Sequence, residues 1–133
     1  MSETDTMEPK ELALFLAEAL ADRKAENIVI LEVEALVSYT SYVIVASGRS
    51  DRQVQAVASH IERAGREQGI RPLGTEGTAG GTWALLDYGD CVVHIFRYEE
   101  RELYDLEGLW GDAPREEYEA APPEHITANQ PGL

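Results

Sequence analysis

Cysteine, positive charge and long apolar runs are what this chain of 133 residues is short of, and each shortage closes off a class of protein. Cys91 is the only cysteine, so neither an internal disulfide nor a cysteine-ligated zinc cluster can form. That suits a reducing compartment. Lys and Arg number 11 against 25 Asp and Glu, a net charge of −14. Arg115 against four glutamates leaves −3 of this on Ala113 to Leu133 and −11 on the rest. Because affinity for nucleic acid comes from Lys and Arg displacing counterions, a body this acidic is not expected to bind RNA or DNA over a broad surface. The same field speeds encounter with a basic protein, although excess acid also serves solubility alone. The apolar runs Ile28 to Leu31 and Tyr42 to Ala46 are far short of the roughly 20 residues that span a bilayer. Met1 to Glu11 carries acids and no apolar core, unlike a signal or transit peptide. A cytoplasmic address without a membrane partner is therefore expected.

Histidine is also sparse. His60, His94 and His125 are scattered, with no His-x-x-x-His spacing, so no metal site and no cofactor are expected. Cys91 has no base beside it and alternates into a strand, which reads as a buried thiol.

What is present has clear periodicity. Leu12, Phe15, Leu16, Ala19 and Leu20 recur at helical spacing, with Pro9 at a first-turn position. Ile28 to Glu34 reads as a strand, and Tyr42 to Ser47, apolar on both faces, as a strand covered on both sides. Gly48, Arg49 and Ser50 break that strand, Ser50 and Gln53 form a capping box, and Val54, Val57, Ala58 and Ile61 mark the helix that Gly69 ends. Ile70 to Leu73 is expected to return as a short strand, and Thr82 to Leu86 and Cys91 to Phe96 as two more around the turn Asp87 to Asp90. Glu99 to Trp110 reads as one acidic helix with Leu103, Leu106 and Leu109 three apart. The sum is an α/β fold, a mixed β-sheet flanked by helices. Residues 1–8 are expected to be a flexible N-terminus, 9–112 the domain, and 113–133, with prolines at 114, 122, 123 and 131, a disordered tail.

Two places invite a functional reading. A strand, the turn Gly48 to Ser50 and a helix start can together hold a phosphate, which makes a nucleotidyltransferase-like enzyme the alternative function. However, no Asp-x-Asp pair follows on a strand to bind the metal ions such a site needs. The hairpin says more. A two-residue loop of Tyr88 and Gly89 would set Asp87 opposite Asp90, Leu85 opposite Val92 and Trp83 opposite His94. A bulge at Gly89 would change this pairing but not the alternation within each strand. Ala84, Leu86, Cys91, Val93 and Ile95 then form an apolar core face. The other face mixes Trp83, Leu85 and Val92 with Asp87, Asp90 and His94. A Trp-headed apolar centre with a charged rim has the composition of a protein-binding patch, unless a helix covers it and makes Trp83 ordinary core. Tyr104 and Trp110 either extend that patch or anchor a terminal helix.

The stretches SYVIVASGRSDRQVQAVASHI, GIRPLGTEG, WALLDYGDCVVHIF and EERELYDLEGLWGDAP, in this order and spacing, closely resemble the ribosomal silencing factor family, also called Iojap, from about Leu12 to Pro114. The resemblance implies a non-enzymatic translational repressor with a nucleotidyltransferase-like topology that lacks the catalytic carboxylates. It implies docking on ribosomal protein fourteen of the large subunit, so that the small subunit cannot join when nutrients are short. Carried onto this chain, the docking positions are Trp83, Asp87, Tyr88, Asp90, Val92, His94 and Tyr104. The family commonly places Asp before the aromatic residue that opens the second strand. Here Ser41 precedes Tyr42, so no carboxylate role transfers to that point. A homodimer of the free protein, hiding the same hairpin face, is also compatible with this reading.

Overall fold

In a computed structural model, residues 7–119 describe one mixed sheet with helices on both faces. Helix α1 (Pro9–Asp22) opens with a capping box between Glu8 and Glu11 and buries Leu12, Leu16, Ala19 and Leu20, the expected stripe, with Phe15 half-buried beside them. Strands β1 (Glu26–Glu32) and β2 (Tyr42–Gly48) pair antiparallel, and all but the first residue of β2 is buried. Helix α2 (Asp51–Glu67) is capped by Ser50, whose Oγ accepts from the Gln53 amide at 3.1 Å. The return bond is displaced by one residue, since Gln53 Oε1 accepts from the Arg49 amide at 2.7 Å rather than from that of Ser50.

The short strand expected at Ile70 to Leu73 lies later, as β3 (Gly74–Glu76). The helix exit explains the shift. Gly69 takes a left-handed φ of 78°, and the Gly69 and Ile70 amides donate back to Arg66 and Gly65 carbonyls, which withdraws them from any ladder. Strands β4 (Trp83–Asp87) and β5 (Cys91–Arg97) form the expected hairpin. The order across the sheet is β3-β4-β5-β2-β1, with β2 and β5 parallel because α2 and β3 cross over between them.

The single helix expected over Glu99 to Trp110 is two, α3 (Tyr98–Tyr104) and α4 (Leu106–Leu109). Asp105 breaks them with a φ of 44°, a conformation Asp tolerates, and its carboxylate accepts from the Gly108 amide at 3.2 Å. The break turns Leu106 and Trp110 toward the sheet and leaves Leu103 and Leu109 exposed, so the three leucines do not share a face. The chain then continues past residue 112. Ala113 is buried, and β6 (Arg115–Glu117) pairs antiparallel with β1 at the sheet edge, within the segment expected to be a loose tail. At the other end Met7 packs against the core and Glu8 caps α1. The expectations for residues 1–6 and 120–133 fall outside the described residues.

Each sheet face carries its own apolar cluster. Under α1 and α2 lie Ile30, Ile44, Ala84, Leu86, Val93 and Ile95 with the helix stripes. On the opposite face Val29, Leu31, Val43, Val45 and Phe96 meet Trp110 and Ala113, with Trp83 and Leu106 only partly buried at the margin. This second cover is incomplete, and the candidate site lies where it stops. Among the described residues no helix is long and apolar enough to cross a membrane.

Candidate docking surface

The β4–β5 hairpin sets the site. Its register pairs Asp87 with Val92, Leu85 with His94 and Trp83 with Phe96. The expected partners were Asp90, Val92 and His94, so the turn sits one residue later, with Gly89 and Asp90 at its centre. Gly89 has a φ of 86°, and its amide donates to Asp87 Oδ1 at 2.8 Å. Glycine at the first central position suits a type II′ turn, whereas Tyr88-Gly89 at the centre would need a type I′ turn with Tyr88 at positive φ; that cost outweighed the placement of Tyr88 in the loop. The slip moves each residue two positions along its partner, which preserves the faces. Ala84, Leu86, Cys91, Val93 and Ile95 all lie in the cluster beneath the helices, as expected.

On the other face the slip brings four rings together. Trp83 lies 4.8 Å from Phe96 and 4.6 Å from Tyr104, centroid to centroid, and 6.0 Å from His94. Such offset contacts contribute about 0.5–1.5 kcal/mol each beyond the area they bury. Phe96 and His94 are buried, Trp83 is half-buried and Tyr104 is 51% exposed, so the stack rises from the core to solvent. Trp83 Nε1 donates to His94 Nδ1 at 3.1 Å. Because the indole N–H can only donate, His94 Nδ1 must be unprotonated. Burial agrees with this, pushing the His94 pKa down to about 4. His94 is thus a neutral prop behind Trp83.

Tyr104 reaches Trp83 from α3, a helix with no buried residue. Polar ties hold it down. Arg101 donates to Ser47 Oγ at 2.8 Å, to the Asn27 carbonyl at 2.7 Å and through Nε and Nη2 to Glu107. The Tyr98 hydroxyl donates to Glu26, and Arg97 pairs with Asp51 at 3.0 Å. Hydrogen bonds from Arg101 lower the Glu107 pKa, and Arg115 adds to this from β6.

The other residues singled out from sequence are distributed differently. Val92 is buried on the Trp83 face, Asp90 is exposed at the turn, and Asp87 is half-buried with its carboxylate holding the turn. Tyr88 does not join that face. It packs into the cluster beneath the helices, where burial raises its pKa to about 12 and its hydroxyl finds no partner among the described residues. Cys91 is buried with its thiol pKa likewise raised to about 12. Phe96, at the centre of the stack, is absent from the sequence-derived set. Continuing the alternation Val92, His94 by one step would have found it. Leu36, Tyr39 and Leu109 line a shallow apolar cleft of about 390 Å³ on the same side of the sheet, between the β1–β2 loop and α4.

The Gly48 to Ser50 turn is occupied by its own cap. Ser50 Oγ and Gln53 Oε1 take amides at the helix start, and Arg49 pairs with Glu26 at 2.8 Å. The loop after β3 closes on the same helix end, since a β-carbon at Gly81 would lie 2.9 Å from Asp51 Cα. A cleft of about 900 Å³ opens beside α3 and carries Glu99, Glu102, Glu107 and Glu117 against Arg101 and Arg115, both already bound to Glu107. Such a lining repels phosphate. Among the described residues no group of three or more His, Cys, Asp or Glu is placed to hold a metal ion.

The family described as "Ribosomal silencing factor during starvation" matches residues 6–131. The ribosomal silencing factor RsfS of Halalkalibacterium halodurans is 40% identical over 113 residues, 85% of this chain and 97% of that protein. A Chromobacterium violaceum protein of known crystal structure superposes with a TM-score of 0.77 at 37% identity, over 86% of this chain and 92% of that one. From Mus musculus, "Mitochondrial assembly of ribosomal large subunit protein 1" is 30% identical over 98 residues, 71% of this chain and 43% of that protein.

Proposed function

The chain belongs to the ribosomal silencing factor family, and from that premise we propose that it represses translation by docking on the large ribosomal subunit. The partner in this reading is ribosomal protein fourteen of that subunit, a basic protein, and occupancy alone blocks joining of the small subunit. No bond is made or broken. The mouse relative's name, which refers to the large subunit, supports the choice of subunit. A cytoplasmic address goes with this reading.

The observation that carries it is the stack of Trp83 and Tyr104, which leaves aromatic surface open on a sheet face that α1 and α2 do not cover. A half-buried Trp held by rigid neighbours is the kind of anchor on which interface energy concentrates. The rim suits a basic partner, with Asp87 and Asp90 at the turn and −14 on the whole chain. Charges there act mainly on encounter and orientation. Val92 and His94 support the anchor from beneath, and Tyr104 extends it. The same face, left without its ribosomal partner, would suit a homodimer, which concentration-dependent light scattering would reveal.

The test is co-sedimentation of the full chain with purified large subunits. Truncating such an anchor typically costs about 2 kcal/mol or more, roughly thirtyfold in affinity, so Trp83→Ala is expected to remain folded and to stop sedimenting with the subunit. Normal co-sedimentation of the folded variant would remove Trp83 from the site.

A further inference from the structure

Helix α3 has seven residues and buries none of them. So short a helix is not stable by itself, and beyond the stacking of Tyr104 on Trp83 and Phe96 it has no buried apolar face to fix its pose. Its position is therefore set by its polar ties, among which Arg101 is the most enclosed, with its side chain 11% exposed. We infer that Arg101 is the positioning residue that holds Tyr104 against Trp83, so that the docking surface is formed before the partner arrives. This rests on the docking reading above.

The geometry supports this in three ways. First, Arg101 lies one helical turn before Tyr104, and the carbonyl of Arg101 accepts from the Asp105 amide at 2.9 Å, at the point where α3 ends. Second, its acceptors come from three separate elements. Ser47 is on β2, Asn27 on β1, Glu107 on α4, and Arg115 of β6 joins through Glu107. A planar guanidinium with five donors can span these, whereas a lysine ammonium cannot. Third, β1 is bent to meet it. The pairing of β1 with β2 passes from Glu26 opposite Ser47 to Val29 opposite Val45, which places one extra residue in β1. Asn27 in this bulge has a φ of 52°, and its carbonyl accepts from Arg101. Bulges commonly re-aim a group in this way. Ser47 is fully buried, and Arg101 is the partner of its hydroxyl. Preorganisation of this kind raises affinity by lowering the ordering cost at binding.

The test uses the full chain with Arg101→Lys, Tyr104→Ala and the double variant. In the free protein, NMR reads the Tyr104 ring protons, which Trp83 shifts through its ring current. Arg101→Lys is expected to move them toward free-tyrosine values while sheet amide shifts persist. It is also expected to weaken co-sedimentation with large subunits about tenfold, and to add nothing in the Tyr104→Ala background, because residues acting through one contact are not additive. Unmoved Tyr104 resonances, or effects that simply add, would overturn the inference. If Arg101→Lys does not fold, Ser47→Ala removes one acceptor instead and is expected to shift the Tyr104 ring in the same direction; no shift overturns the proposal. Full binding by Trp83→Ala would separately remove Trp83 from the docking surface, and the ring shifts would still decide the role of Arg101.

Discussion

His94 is the residue on which the local account is most exposed. A histidine in an unfolded chain takes up its proton near pH 6.5, but here burial delays protonation to about pH 4. The unfolded state therefore binds more protons than the folded state between these values. The stability from this group is complete above about pH 6.5 and is lost as pH falls toward 4. The difference is on the order of 3 kcal/mol. His94→Gln keeps an acceptor for Trp83 but cannot titrate, so urea unfolding of this variant is expected to lose less stability between pH 7 and 4 than the parent, by about that amount. Parallel pH profiles would show that His94 is not held neutral. The side of the sheet on which His94 lies was legible from alternation alone. That it would accept from Trp83 was not, because the expected register set the two directly opposite, whereas they are diagonal neighbours in the observed one.

At the scale of elements, the sequence stated which segments form strands and helices better than it stated where they turn. The stripe on α1, the fully buried β2 and the Ser50 cap followed from periodicity and capping chemistry. The hairpin register did not, because Tyr88-Gly89 and Gly89-Asp90 both read as turns until the preference for glycine at the first central position is weighed. The α3–α4 break was hidden for another reason. Glu99 to Trp110 has no proline, and its interruption depends on Asp105 adopting a left-handed conformation that only its own cap to Gly108 makes favourable. Asp105→Ala removes the cap and the short polar side chain that tolerates that conformation, each worth about 1 kcal/mol. Thermal unfolding is expected to fall by several degrees, and Asp105→Asn, which keeps both features, is expected to remain near the parent. Equal stability of the two variants would mean that the break has another cause. Strand β6 escaped notice because Arg-Glu-Glu at a sheet edge has no apolar alternation to display.

Over the whole molecule, the acidic surplus, the uneven cover of the two sheet faces and the half-open Trp83 stack combine into one consequence. One face is sealed by α1 and α2. The other is sealed only in part, by α4 and the segment after it, and leaves aromatic surface beside carboxylates. The candidate face was readable in outline from the Trp-headed hairpin, but its depth was not, since Arg101 and the β1 bulge join it through contacts distant in sequence. In the proposed function, occupancy of the large subunit is sufficient for silencing. The direct measurement is the yield of joined ribosomes from purified subunits as this protein is titrated onto the large subunit. Yield is expected to fall in step with occupancy of the large subunit and to be unaffected by Trp83→Ala. Undiminished joining with the large subunits fully occupied would contradict it.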